Sequence, residues 1–567
     1  MPAVDPVPRV GGPDNLLLRL GLPNLAGFHL SSLPSRLPDR LGRLNPSMLR
    51  GLQRGIEKEG LRVRPDGTLA MTPHPSGLGS ALMHPAITTD FSESQLELIT
   101  GVHDDIDACL RQLTQIHQIA LREIRDEVMW CTSMPCFLPP DDDIPIAQYG
   151  SSNVGRAKTI YRTGLKHRYG SRMQTISGLH YNFSLPASAW PVLQAADGHG
   201  GDATDFRNES YFALIRNFRR HSWLLLYLFG ASPVVCESFV AGTNHRLQPL
   251  DDSTMYLPHA TSLRMGPLGY QSDAQATLGV SYNCLRSYAD SLREALTTPY
   301  PPYEAIGLRD GDRYRQLSTT LLQIENEFYG TIRPKQPIRR GERPLRAMAQ
   351  RGVEYVEARL MDLDPFNPIG IGAGTIRFLD VFLLHCLLQD SPDDSPQTIA
   401  ILSRNRHAVA QRGREPGLTL ERDDGETVSL AEWGRQLLQE CEPIAAALDA
   451  AHPQAEGAYG RMLVLAQQRL ADPSATPSAR VLAEVQQSAK CSCVGFALEK
   501  SLQHRQALMQ APLPASITAE YARMAAESVA AQREAEAGDT LSFEDYRQQY
   551  LSQPLVDDLP LRDRKAG

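Results

Sequence analysis

The sequence predicts an α+β fold, in which a mainly antiparallel sheet carries helices on one side and a helical C-terminal region follows. Two observations support this fold class. Segments that alternate polar and apolar residues, as half-buried antiparallel strands do, lie far apart with helical segments between them. Beyond about residue 431 the chain is rich in Ala, Gln, Glu and Leu, which are strong helix formers.

The alternating segments and the helical segments can be placed individually. The predicted strands are 55–63, 93–100, 175–185, 321–327 and 354–360. The predicted helices are 105–130, 154–166, 206–227, 282–297 and 376–388. In the first of these helices His117 lies on a stripe of apolar residues spaced three and four apart, which indicates a packed core histidine.

Composition excludes several classes of protein. The net charge of −8 argues against nucleic acid as the main partner. The most apolar run, 223–230, is far too short to span a membrane, so no membrane association is expected. Nine scattered cysteines predict a reducing compartment and no disulfide framework, and the absence of a secretory pattern at the N-terminus agrees. We therefore expect a cytoplasmic protein.

Two carboxylates at positions i and i+2 of a predicted strand are the most informative feature of the chain. Glu57 and Glu59 point to the same side of the sheet, and the spacing recurs at 325–327 and, with mixed charge, at 357–359. Carboxylates on one face repel each other unless a cation lies between them. Mg²⁺ supplies that charge and commonly also holds substrate phosphates. The alternative is a solvated sheet face with paired charges.

A second polar strand face adds further candidate ligands. His180, Asn182 and Ser184 alternate with apolar residues, so the three polar side chains face a cleft or water. A histidine in such a place can ligate a metal through one ring nitrogen. Glu93 and Glu97 share a face of another predicted strand.

Several well-known motifs are absent. The chain has no P-loop, no dinucleotide-binding glycine motif after a strand, and no nucleophile elbow. The glycines of 370–374 are interpreted as the flexible start of a helix, with a phosphate loop as the alternative. In the turn-rich loop 260–270, Arg264 suits recognition of a carboxylate or phosphate.

Seven segments, in order along the chain, resemble motifs of the glutamate–cysteine ligase family, in its bacterial single-polypeptide class. They are 54–63, 88–100, 147–155, 174–186, 260–270, 324–334 and 354–370. The resemblance implies a fold similar to the catalytic domain of glutamine synthetase, an antiparallel sheet curved into a half-funnel with helices outside. Residues 1–45 fall outside the resemblance, and their prolines predict a loosely attached extension with a short helix near 15–20. Together with the helical composition beyond 431, this predicts a catalytic body (46–430) and a helical region packed on it (431–567).

The resemblance implies a reaction as well. The γ-carboxylate of L-glutamate would be joined to the amine of L-cysteine through γ-glutamyl phosphate, the first step of glutathione biosynthesis. ATP would be the co-substrate and Mg²⁺ the metal, with Mn²⁺ as an alternative, in a monomer that glutathione inhibits. Two alternatives stay open: an ATP-dependent ligase that joins glutamate to another amine, and a metallohydrolase that uses the same carboxylates. A catalytically silent Mg²⁺-binding or assembly protein is disfavoured, because no ligand position of the family is missing.

Roles for individual residues follow from the resemblance. The metal ligands would be Glu57, Glu59, Asp90, Glu97, His180 and Glu357. Arg359 would be a catalytic residue that faces the phosphates of ATP or of the acyl phosphate. The substrate pocket would be lined by Phe91, Tyr161, Gln174, Arg264, Tyr270 and Tyr329. Arg264 would bind a substrate carboxylate and contribute to catalysis.

Overall fold

The computed structural model describes residues 36–269, 274, 278–339, 341–488 and 492–555. The short helix predicted near 15–20 lies outside these residues. Two short helices, α1 (Leu37–Arg43) and α2 (Pro46–Arg50), precede the first strand. Arg40 of α1 forms a 2.6 Å ion pair with Asp197, so the last residues of the predicted extension are packed on the body.

Helices surround the sheet and make up most of the C-terminal region. In the first half of the chain they are α3 (Ile106–Glu123), α4 (Asn153–Tyr169), α5 (Ser171–Gln174), α6 (Ala189–Ala196), α7 (Ala203–His221), α8 (Trp223–Phe229) and α9 (Glu237–Val240). In the second half they are α10 (Leu285–Thr297), α11 (Pro301–Ile306), α12 (Pro344–Arg351), α13 (Ala373–Leu388), α14 (Pro396–Arg412), α15 (Leu430–Ala451), α16 (Ala458–Ala471), α17 (Pro477–Gln487), α18 (Cys493–Gln510), α19 (Ala515–Ala537) and α20 (Phe543–Leu551). Among the helices described, none is long and apolar enough to cross a bilayer.

The main sheet has seven strands, and all its pairings are antiparallel. Its strands are β1 (Gln53–Val63), β2 (Ile87–Thr89), β3 (Gln95–Ile99), β4 (Val128–Met129), β5 (Leu179–Ser184), β11 (Ile332–Lys335) and β12 (Tyr355–Met361). The order is β11-β12-β5-β1-β3-β2, and β4 pairs with β1. Smaller sheets contain β6 (Val234–Cys236), β7 (Gln248–Pro249), β8 (Thr254–Tyr256), β9 (Arg309–Asp310), β10 (Arg313–Tyr314), β13 (Thr419–Glu421) and β14 (Thr427–Ser429).

The predicted fold class is confirmed. Strand alternation sends apolar residues such as Ile56, Tyr181 and Val356 to one side of the sheet, where they join the main hydrophobic core. Helix α13 is buried along most of its length and packs on α7, α15 and α16. The C-terminal helices therefore share a core with the sheet region, and the division at residue 430 stays a prediction.

Some predicted boundaries are wrong. The segment 321–327 is not a strand, because Glu325–Glu327 form one turn of 3-10 helix. The helix predicted over 105–130 ends at Glu123, and the chain then enters β4. The helix predicted over 206–227 is two helices that meet at Ser222. The strand predicted over 93–100 begins only at Gln95.

A buried ion pair ties the central strands to α13. Arg54 of β1 lies 3.2 Å from Asp380 of α13, and both side chains are at most 1% exposed. Tyr181 of β5 donates a hydrogen bond to the other carboxylate oxygen of Asp380 at 2.6 Å. One carboxylate thus holds β1 and β5, whose opposite faces carry Glu57, Glu59 and His180.

Replacing Asp380 by Asn is expected to lower the free energy of unfolding by about 3–5 kcal/mol, because Arg54 keeps its charge without a buried counter-ion. Denaturant unfolding measures this change. Asp393→Asn is the matched control, since Asp393 is exposed and lies 3.9 Å from its arginine partner. Equal stability of the two variants would contradict the assigned role of the ion pair.

Candidate active site

The strand register brings the predicted metal ligands together on the face of the sheet opposite the core. Strands β1, β3, β5 and β12 each contribute polar residues to this face. The residues that lie directly opposite each other are Glu57 with His180, Glu59 with Glu97, and Glu357 with Asn182. Neighbouring strands are about 4.8 Å apart, so these side chains meet without further rearrangement.

His180 is the centre of the cluster. Its Nδ1 lies 3.3 Å from Glu57 Oε2 and 3.3 Å from Glu357 Oε1, and its Nε2 lies 3.5 Å from Glu59 Oε1. Burial and Arg359 act to lower the pKa of His180, but the hydrogen bonds that its ring donates to Glu357 and Glu57 outweigh them and raise the pKa to about 9. The ring is therefore held in place by carboxylates on both of its nitrogens.

The donor set at one end of the cluster fits a hard divalent cation. Glu57, Glu97 and His180 each offer a ligand atom, and these atoms lie within 4.8 Å of one another. Burial and the charges of Glu57, Asp90 and Glu59 raise the pKa of Glu97 to about 8, so a cation bound here would favour its ionised form. A donor set dominated by carboxylates suits Mg²⁺ or Mn²⁺.

Glu357 has a different environment from Glu97. Arg359 donates a hydrogen bond to its Oε1 at 2.7 Å, and Lys335 Nζ lies 3.0 Å from its Oε2. Burial alone would raise the pKa of Glu357, but Arg359 and Lys335 hold it well below its usual value. Glu357 therefore links the carboxylate cluster to a group of cationic side chains.

Glu59 and Asp90 border the cavity beside the cluster. The Gly178 N–H donates to Glu59 Oε2 at 2.7 Å, which fixes that carboxylate against β5. Burial and the charge of Asp90 raise the pKa of Glu59. Asp90 follows β2 and lines the same cavity as Glu59 and His180.

The cavity has a volume of about 130 Å³ and combines acidic, basic and aromatic walls. The predicted substrate-binding residues that line it are Phe91, Tyr161, Gln174, Arg264 and Tyr329. Gln174 Nε2 donates to the Tyr329 hydroxyl at 2.7 Å, so α5 and the segment before β11 meet at this wall. The remaining predicted member of the set, Tyr270, lies outside the described residues.

Arg264 is almost fully buried beside the cationic group. Its Nη2 donates to the Arg359 carbonyl oxygen at 2.9 Å, and its Nη1 lies 3.7 Å from Asp362 Oδ1. Arg264 therefore lies against the strand that carries Glu357 and Arg359. The structure brings the two predicted catalytic arginines together.

Glu325 and Glu327, the recurrence of the i, i+2 carboxylate spacing, are not part of the site. Glu325 pairs with Arg343 at 2.9 Å, and Glu327 pairs with Arg168 at 2.8 Å. Each carboxylate is satisfied by its own buried arginine and is directed away from the sheet cluster. Glu93, predicted to share a face with Glu97, instead accepts backbone hydrogen bonds from His74 and Gln148 at 2.8 Å.

Sequence reasoning did not assign roles to several residues that the structure places at the site. Asn182 donates a hydrogen bond to Glu57 Oε1 at 2.9 Å. The sequence signal for Asn182 was its position on the same strand face as His180. Arg333 and Lys335 lie two residues apart on β11, the same spacing as Glu57 and Glu59 on β1. Arg406 of α14 lines the cavity, and its local sequence contains no signal for this.

Comparison with known proteins gives the family. The family model described as glutamate-cysteine ligase matches residues 41–409. The chain belongs to the glutamate–cysteine ligase family. A curated glutamate–cysteine ligase of Azotobacter vinelandii is 49% identical over 521 residues, which cover 91% of this chain and 98% of that protein. One of Pseudomonas aeruginosa is 47% identical and covers 93% and 99%.

Solved structures agree with the family assignment. A crystal structure of glutamate–cysteine ligase from Francisella tularensis in complex with AMP superposes with a TM-score of 0.82 at 39% identity, covering 88% of this chain and 97% of that one. A bifunctional glutathione synthetase from Pasteurella multocida matches with a TM-score of 0.66 at 26% identity, covering 84% of this chain and 55% of that one. The predicted ATP-dependent ligation of glutamate to cysteine in glutathione biosynthesis is confirmed, and the alternatives are not favoured.

Proposed function

We propose that the carboxylate cluster and the neighbouring arginines form the catalytic centre of this ligase. Two observations support the proposal. The strand residues of the cluster share one sheet face. Glu59, His180 and both arginines line a single cavity with aromatic walls. A carboxylate is a poor acyl donor because its leaving group would be an oxide. Phosphorylation of the glutamate γ-carboxylate by ATP supplies a good leaving group, and the cysteine amine then displaces phosphate.

The first step needs alignment and charge neutralisation more than covalent help from the protein. Glu57, Glu97 and His180 would hold Mg²⁺, with Glu59, Asp90 and Glu357 around them. When bound, the metal neutralises the ATP phosphates and orients them. The protein fixes its donors in advance, since Asn182 orients Glu57 and the Gly178 N–H orients Glu59.

Arg359 is proposed to bind the transferring phosphoryl group. Its side chain is about 24% exposed, so it reaches the cavity, while Glu357 holds its Nη1 at 2.7 Å. Arg264 lies directly against Arg359 and is proposed to bind a substrate carboxylate. The γ-carboxylate of glutamate would then lie between the metal donors and the two arginines.

The acceptor wall is neutral and weakly polar, as a thiol side chain requires. Phe91 is buried, and the Gln174–Tyr329 hydrogen bond fixes the two polar groups. Burial and the charge of Glu327 raise the pKa of Tyr161 far above its usual value, so its hydroxyl stays protonated. We propose that these residues, with Tyr270, bind the cysteine side chain.

The remaining features of the proposal concern the protein as a whole. Free thiols at all eight cysteines that the structure describes support a reducing compartment such as the cytoplasm. We propose a monomer in which residues 46–430 form the catalytic body and residues 431–567 support it. Glutathione contains the γ-glutamylcysteine unit of the product, so it is proposed to inhibit by occupying the same cavity.

Coupled ADP production over a panel of amines tests this function. With Mg²⁺ and L-glutamate, ADP release is expected to require L-cysteine and to be weak with ammonia, because only cysteine fills the aromatic wall. Mn²⁺ is expected to replace Mg²⁺, and a chelator is expected to stop the reaction. Omission of glutamate is the control. ADP release with ammonia but not with cysteine would overturn the proposed acceptor.

A further inference from the structure

Arg406 extends from α14 into the cavity beside Met265 and Gly266. Its guanidinium has one side-chain contact, 3.4 Å from Nη2 to His407 Nε2, and its buried Nε has no hydrogen-bond partner. No carboxylate among the described residues lies within ion-pair distance of it. A guanidinium in such surroundings usually has a counter-charge, because burying an unpaired charge is costly.

The neighbouring arginines of the cavity have protein partners. Arg359 is paired with Glu357 at 2.7 Å, and Arg264 lies 3.7 Å from Asp362. Arg333 donates to the Asn326 carbonyl oxygen at 2.9 Å. Arg406 differs from Arg359 and Arg264 because no carboxylate of the described residues pairs with it. It differs from Arg333 because none of the hydrogen bonds described for its guanidinium goes to a backbone carbonyl oxygen.

The charge of Arg406 persists at neutral pH. Burial and the neighbouring Arg219 lower its pKa only to about 10. Helix α14 packs against the 3-10 turn Leu263–Met265, which carries Arg264. Two guanidinium groups on adjacent elements therefore border the cavity.

We infer that Arg406 binds the α-carboxylate of one of the two amino-acid substrates. The inference rests on the ligase reaction proposed above, in which two α-amino acids enter one cavity and each brings an α-carboxylate. A guanidinium fork matches a carboxylate in a bidentate manner. In the proposed function, the ATP phosphates are bound by the metal and by Arg359. If each α-carboxylate is bound by one arginine, a second arginine is needed besides Arg264.

The test combines Arg406→Gln with substrates that lack the α-carboxylate. Cysteamine replaces L-cysteine in one arm, and 4-aminobutyrate replaces L-glutamate in the other. Each analogue is measured as a substrate or, where it is not turned over, as a competitive inhibitor. The KM of one amino acid is expected to rise about 10–100-fold in Arg406→Gln. Its decarboxylated analogue should bind the variant as it binds the wild type. The affected arm identifies which amino acid Arg406 holds.

Two further variants keep the test sharp. Arg404→Gln on the same helix is the control, because Arg404 is exposed and paired with Glu421 at 2.6 Å, so its kinetics should match the wild type. Arg406→Lys keeps the charge but not the fork, and an intermediate KM is expected. The thermal midpoint of Arg406→Gln should not fall, because no protein ion pair is lost.

Three results would overturn the inference: equal losses with a substrate and its decarboxylated analogue, a change confined to the KM of ATP, or unchanged kinetics. These results differ from failure of the proposed function, which would appear in the wild type as ADP release without a requirement for cysteine.

Discussion

Replacing Glu57 by Gln is expected to lower kcat/KM for ADP release about 10³-fold, as loss of a metal-binding carboxylate removes several kcal/mol of charge stabilisation. Glu57 lies between His180 and Asn182, and no other carboxylate of β1 occupies that position. The amide keeps the shape and can still accept from Asn182. The chain should therefore fold normally, because one like charge is removed from a crowded face.

Coupled ADP release at several Mg²⁺ concentrations measures this effect, and excess Mg²⁺ should recover part of the activity. Glu354→Gln is the control, because Glu354 is exposed and pairs with Arg207 at 3.2 Å outside the cluster. Near-wild-type activity of Glu57→Gln would remove Glu57 from the metal site. A loss of activity accompanied by a lower thermal midpoint would mean that the residue supports the fold instead.

Replacing Arg359 by Met is expected to lower kcat about 10³-fold, because an arginine that contacts a transferring phosphoryl group acts mainly on the transition state. The fold should tolerate the change, since Lys335 remains 3.0 Å from Glu357. Steady-state kinetics with ATP as the varied substrate measures the effect. The KM of ATP should change much less than kcat.

Arg359→Lys is the informative companion, since a lysine keeps the charge but loses the bidentate geometry and should recover only part of kcat. Arg351→Met is the matched control, because Arg351 ends helix α12, pairs with Glu342 and does not line the cavity. A kcat for Arg359→Met within a few-fold of the wild type would exclude Arg359 from phosphoryl transfer. A pure rise in the KM of glutamate would assign it to substrate binding instead.

Local sequence predicted the parts of the fold that depend on alternation. Strands β1, β5 and β12 lie where polar and apolar residues alternate, and His117 is buried, with its Nε2 2.9 Å from Lys58 Nζ. The same rule failed at Glu325–Glu327, because the spacing of residues along the chain does not show which side chains from other elements will pair with them. Arg343 and Arg168 satisfy those two glutamates from other elements of the fold, where the backbone forms a 3-10 turn.

The sequence by itself determined the α+β class, the shared face of Glu57 and Glu59 and, through the order of its motifs, the family. Only the tertiary structure decided which side chains meet across strands, since register and packing join residues far apart in the chain. It set Glu59 opposite Glu97, separated Glu325 and Glu327 from the cluster, and turned Arg406 into the cavity. Alternation sets the direction of a side chain within its own strand, whereas its partners depend on which elements fold against it.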